Sequence, residues 1–175
     1  LIADLDRPED IALLRRLARD ARVVVDNFRP GTLERRGLDP AELLESDQRL
    51  VWCTITGFGP ESTRPGYDFV VQAERGWMAI TGEPDGSPMK VGVALADVIA
   101  GKDATIAILA ALAGERLSPT QRRIHISLAD SASAALINVA QNVLLTGSDA
   151  GRYGNAHPNL VPYQLLRARD RPIVI

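Results

Sequence analysis

Two hydrophobic periods alternate along the chain. From Glu9 to Ala21, apolar residues fall at Ile11, Leu13, Leu14 and Leu17 with charges between them, which predicts an amphipathic helix. Arg22-Val23-Val24-Val25 follows as a short β-branched run of the kind buried in a parallel sheet. Asn27, Pro30 and Gly31 then make 26–31 a loop. Short helices are expected over Thr32–Arg36 and Pro40–Asp47, the second with its proline in the first turn. Leu50–Thr56 reads as the next strand, closed by Gly57-Phe58-Gly59-Pro60. Residues 60–66 read as loop, Tyr67–Gly76 as helix and Thr81–Met89 as a turn-rich excursion.

The run from Val91 to Gly101 holds the feature that most constrains function. An apolar, strand-like stretch gives way there to a small-residue helix that continues to about Gly114. Asp97 is the only ionisable side chain between Lys90 and Lys102. It is expected at or just before a helix N-terminus, where free N–H groups and the macrodipole favour the ionised form. A carboxylate so placed can cap the helix, or it can attack an electrophile.

Ile124–Leu128 reads as a further strand, followed by a helix through Leu145 that Asp130 would cap. Strand alternating with helix indicates an α/β domain, Rossmann-like, with a mainly parallel sheet and flanking helices. The Gly-, Asn- and Pro-rich stretch 147–162 reads as a linker. It separates a large domain, residues 1–146, from the start of a smaller one at 163–175. The chain opens at Leu1 without an initiator Met and closes on Pro172-Ile173-Val174-Ile175, a strand expected to lack a partner. These ends suggest a piece of a longer polypeptide.

Composition narrows the classes. Twenty Lys and Arg against 22 Asp and Glu leave a net charge of −2, which gives no general pull toward nucleic acid or an anionic membrane. No apolar run reaches spanning length and no signal-peptide pattern opens the chain. The single cysteine, Cys53, excludes an internal disulfide and suits a reducing compartment. A cytoplasmic protein is expected.

Ligands of open α/β sheets bind at the carboxyl ends of the strands, here the loops after Val25, after Thr56 and around Asp97. The first loop offers Asn27, Phe28, Arg29 and, further on, Arg35. An amide, an aromatic face and guanidiniums suit a nucleotide bearing phosphates, although a solvated turn with a buried Phe would read the same way. Neither common glycine-rich phosphate-loop signature occurs, and no His, Cys or Asp cluster has metal-ligand spacing. The arginine pairs 15–16, 35–36 and 122–123 read mostly as solvated faces, with Arg35 the exception. Trp52 and Trp77 are expected in the core, although Trp77 could wall an acyl pocket, and Cys53 is expected to be inert.

Six pieces in order resemble the class III CoA-transferases, the carnitine dehydratase and bile-acid-inducible protein F family. They are Asp26–Arg35 with Gly37-Leu38; Leu50–Gly59; Gly66–Ala73 with Gly76; Gly92–Gly101; Ser127–Asp130; and His157-Pro158-Asn159 through Pro162-Tyr163. The resemblance implies that Asp97 is a catalytic nucleophile. It implies that Asn27, Phe28 and Arg35 hold coenzyme A and that Gly66, Tyr67 and Asp68 form another CoA-contacting stretch. It also implies an interlocked homodimer, CoA or acyl-CoA as substrate with no permanently bound cofactor, and a small carboxylic acid as second substrate.

Two alternatives stay open. The related α-methylacyl-CoA racemases move a proton with a His-Asp pair, but Tyr67 stands where the resemblance would put that histidine. The chain's two histidines, His125 and His157, fall in an apolar strand and in the linker. The other alternative is a CoA-binding module that is inactive by itself.

Overall fold

The computed structural model describes residues 1–175. Its first helix, α1 (Pro8–Asp20), starts on a proline with Glu9 and Asp10 in the first turn, and it buries Ile11 and Ala18. Strands β1 (Val23–Asp26), β2 (Val51–Thr56) and β3 (Arg123–Ser127) form a parallel sheet in the order β1-β2-β3. In its register Asp26 lies opposite Thr54, and Thr54 opposite His125. Central β2 is buried almost throughout, whereas β1, the run expected to be buried, lies at the sheet edge with Val25 exposed.

Between β1 and β2 run α2 (Thr32–Arg35) and α3 (Pro40–Ser46), the latter capped by Asp39, whose carboxylate accepts from the Ala41 N–H at 2.8 Å. Between β2 and β3 come α4 (Asp68–Glu74), α5 (Trp77–Ile80), α6 (Leu95–Ala113) and α7 (Pro119–Arg122). Helices α8 (Leu128–Ala134) and α9 (Ile137–Thr146) follow the sheet, and β4 (Leu165–Arg167) and β5 (Pro172–Val174) form a small antiparallel pair.

Side-chain alternation on β2 divides the core in two. On one face Trp52 packs with Leu33, Leu38, Leu43 and Leu44 from the α2–α3 region and with Ala18 of α1. On the other, Ile55 and Ile126 cover Ala96, Ala100, Leu128 and Ala132. Ala96, Ala100 and Ala104 recur every fourth residue on α6 and are fully or nearly buried. Their small side chains let α6 lie close against β2, β3 and α8. The Trp77 indole donates to the Ala132 carbonyl at 2.9 Å, and this ring belongs to the core, as expected.

Several elements differ from what the pattern predicts. Val91–Val93 is not a strand; it runs as irregular chain, held from the side by Gln72. The helix expected to run from Asp130 to Leu145 is two helices, broken between Ala134 and Ile137, and its cap is Ser127, which accepts from the Asp130 N–H. Arg122 is buried, not solvated. Its guanidinium donates to the carbonyls of Leu44, Asp47 and Leu50, between the end of α3 and the start of β2, and of Leu117 just before α7. The closing strand has a partner, since Ile173 lies opposite Leu166 and Gln164 and Ile175 exchange backbone bonds. Arg152 reaches out of 147–162 to the carbonyls of Ala79, Glu83 and Gly86, so that stretch is docked on the loop after α5.

Candidate active site

A cleft of about 430 Å³ opens at the carboxyl ends of β1 and β2. It gathers Asn27, Phe28, Arg29, Gly66, Tyr67, Asp68 and Asp97 around one space. Two loops converge there because parallel strands end on one edge, and the start of α6 is brought to them by its packing on β2 and β3. The loop after β1 is pinned by Asp26, whose carboxylate accepts from the Phe28 N–H at 3.1 Å, the Trp52 indole at 2.7 Å and the Thr54 hydroxyl at 2.6 Å. Phe28 and Tyr67 remain 41% and 69% exposed, so their rings are free to stack on a ligand.

The loop after β2 closes on itself through two glycines. A Cβ at Gly66 would lie 2.1 Å from the Gly57 Cα, and one at Gly57 would lie 2.2 Å from the Gly66 Cα. Backbone packs on backbone here, which no other residue permits. This contact sets Tyr67 and the start of α4 against the end of β2.

Asp97 sits in the first turn of α6, as expected. The cap, however, is another residue. Ala94 occupies the N-cap position and has no side chain that could serve. The Asp68 carboxylate takes its place from α4: Oδ1 accepts from the N–H of Ala96 at 2.8 Å and of Asp97 at 3.4 Å, and Oδ2 from Gln72 Nε2 at 2.6 Å. Asp97 accepts no hydrogen bond of its own and stays available to the cleft. The electrostatic balance also differs from expectation. Desolvation, followed by the nearby Asp68 charge, holds the Asp97 carboxyl above the ordinary aspartate range, against the helix dipole.

Arg35 does not join the cleft. From the last position of α2 its side chain folds back over Gly31, donates to the Thr32 hydroxyl at 3.4 Å, and lines a separate recess with Leu5, Asp6 and Arg36. Ser62 and Arg64, both unremarked in the sequence pattern, do line the cleft. Arg64 lies over the Phe58 ring at 4.1 Å from its centroid and pairs with Glu74. Gln72 also went unseen; its one local signal is the four-residue spacing from Asp68 on a shared helix face.

Neither histidine lines the cleft. His125 borders a smaller, polar recess with Asp26, Thr54 and Arg123. His157 accepts from the N–H of Asn159 and Leu160 at Nδ1 and so organises a turn. Buried Cys53 has its thiol pushed up by desolvation and by the Asp26 charge, which makes it a poor nucleophile. The arrangement therefore offers one unengaged carboxylate, flanked by exposed aromatic faces, an amide and two guanidiniums. That suits attack on an activated acyl group carried by a large anionic ligand.

Comparison with known proteins points the same way. A succinate–glutarate CoA-transferase of Agrobacterium fabrum is 44% identical over all of this chain, which spans 44% of that protein. The human succinyl-CoA:glutarate CoA-transferase is 35% identical, again over the whole chain and 41% of its own length. The crystal structure of a CAIB/BAIF family protein from Brucella suis superposes with a TM-score of 0.85 at 42% identity, covering 99% of this chain and 47% of that one. The chain thus spans less than half the length of the relatives it matches. A family model described as CoA-transferase family III matches residues 1–175, and the chain belongs to that family.

Proposed function

We propose that the full-length protein transfers coenzyme A from an acyl-CoA to a small carboxylic acid through covalent intermediates on Asp97. The observation that carries this reading is an aspartate with no hydrogen-bond partner for its carboxylate, set in a cleft beside the Asn27–Arg29 and Gly66–Asp68 loops. In water a carboxylate is a weak nucleophile because it is strongly hydrated. Partial desolvation and a raised pKa make Asp97 more basic, and a fixed approach removes the entropic part of the barrier.

A carboxylate oxygen of Asp97 attacks the thioester carbon. The C–S bond breaks, leaving a mixed anhydride and CoA thiolate. The thiolate attacks the aspartyl carbonyl, the donor acid departs, and an aspartyl-CoA thioester remains. The acceptor carboxylate attacks that thioester and expels the thiolate again, giving a second anhydride. The thiolate then takes the acceptor's acyl carbon and frees Asp97. Asn27, Phe28, Arg29 and Tyr67 hold the CoA, and no permanently bound cofactor takes part.

The Agrobacterium and human relatives carry names of dicarboxylate enzymes, so succinyl-CoA and glutarate are the first donor and acceptor to assay. The protein works in the cytoplasm as an interlocked homodimer, with 147–162 as the passage between a large and a small domain. The outward face of α6, where Ile106 and Leu109 are 66% and 60% exposed, supports a partner subunit there. Proton transfer by a His-Asp pair is disfavoured because neither histidine reaches the cleft.

The decisive experiment incubates the protein with succinyl-CoA, quenches with hydroxylamine and maps the product by mass spectrometry. A hydroxamate on the peptide carrying Asp97, absent from Asp97→Ala, is the expected result. CoA binding with no adduct would leave only a binding module.

A further inference from the structure

The segment that delivers Asp97 has no regular structure of its own, and one buried amide ties its backbone to α4. Gln72 is fully buried on α4. Its Oε1 accepts from the Val91 N–H at 2.8 Å, while Nε2 donates to Asp68 Oδ2 at 2.6 Å and to the Val93 carbonyl at 3.3 Å. The orientation of the amide is forced. Reversed, it would set oxygen against the Asp68 carboxylate and the Val93 carbonyl, and N–H against N–H at Val91.

We propose that Gln72 is a positioning residue for the transfer reaction. It clamps 91–93 to α4 and orients the Asp68 carboxylate that caps α6, and so sets the approach of Asp97 to the thioester. The inference rests on Asp97 being the nucleophile. A neutral side chain with one acceptor and two donors is required here. Leucine offers neither, and an ionised glutamate repels Asp68. Of the residues expected to hold CoA, this amide touches only Asp68, whose Oδ1 is already engaged by the N–H groups of α6 and whose Oδ2 is engaged by Gln72 itself, so its loss acts on the chemical step more than on binding.

The test compares wild type, Asp97→Ala, Gln72→Leu and Gln72→Glu in the full-length protein with succinyl-CoA and glutarate. Rates are scaled to the fraction of molecules that binds CoA. For Gln72→Leu, kcat is expected to fall roughly a hundredfold while KM for succinyl-CoA changes less than about threefold. Gln72→Glu keeps the acceptor for Val91, and its introduced carboxyl, when protonated, donates to Asp68. The ionisable neighbours of this site are Asp68, Asp97 and Lys90, whose ammonium meets the carbonyls of Val91 and Gly92. Activity of Gln72→Glu should therefore approach wild type on the acid side and fall about tenfold as pH rises, a limb the wild type lacks. If Gln72→Leu does not fold, this limb decides alone. Retention of kcat by Gln72→Leu, or a Gln72→Glu profile parallel to wild type, overturns the role of Gln72. Turnover by Asp97→Ala, or no turnover by the wild type, overturns instead the reading on which it rests.

Discussion

At the scale of residues, the cleft sets one carboxylate to work against another. Asp68 satisfies the helix N–H groups that Asp97 could have used, and its charge adds to desolvation in holding the Asp97 carboxyl high. A carboxyl whose folded pKa is raised prefers its neutral form in the fold. Its ionisation therefore subtracts stability as pH rises through the range above the ordinary value of 3.8. Asp97→Asn should accordingly raise the Tm at neutral pH while abolishing transfer. The gain should vanish below about pH 3.5, where the carboxyl is neutral in both folded and unfolded states. Thermal melts of both proteins at the two pH values check this, and an equal gain at both would contradict the assigned cause.

Among elements, close approach matters more than side-chain mass. The buried alanines of α6 bring that helix onto the sheet, and the Gly57–Gly66 contact brings the loop after β2 onto the entry to α4. Gly66→Ala must push these backbones apart, because its new Cβ would meet Gly57 Cα and N at 2.1 and 2.7 Å. The expected cost is about 1–3 kcal/mol by urea titration, with weaker CoA binding by calorimetry as Tyr67 shifts. Unchanged affinity would separate this contact from the cleft.

Across the whole molecule, the layers are tied together by polar side chains that bridge long stretches of chain. Arg122 is the strongest example, joining α7 to the end of α3 and the start of β2 from a separation of up to 78 residues. Arg122→Met keeps the aliphatic stem but leaves buried carbonyls unpaired. It should cost on the order of 3 kcal/mol or more by denaturant unfolding, without altering the cleft. Arg152 does the same for 147–162, which it fastens to the loop after α5.

The three strands of the parallel sheet, the alternation of strand and helix, and Asp97 at a helix start were legible in the residues alone. They arise from contacts two to four positions apart, and the pattern of side chains records those directly. The convergence of the loops after β1 and β2 was legible too, since parallel strands place their carboxyl ends together, whereas the irregular 91–93 segment reaches the cleft through the packing of α6 on the sheet. Tertiary structure alone decided who partners whom. It gave the cap of α6 to Asp68, 28 residues before Ala96, turned Arg35 away from the cleft, buried Arg122 and seated Gln72 against the segment that leads to Asp97. A buried donor or acceptor takes whatever complementary group the packed layers bring within reach, and that neighbour is set by the fold as a whole.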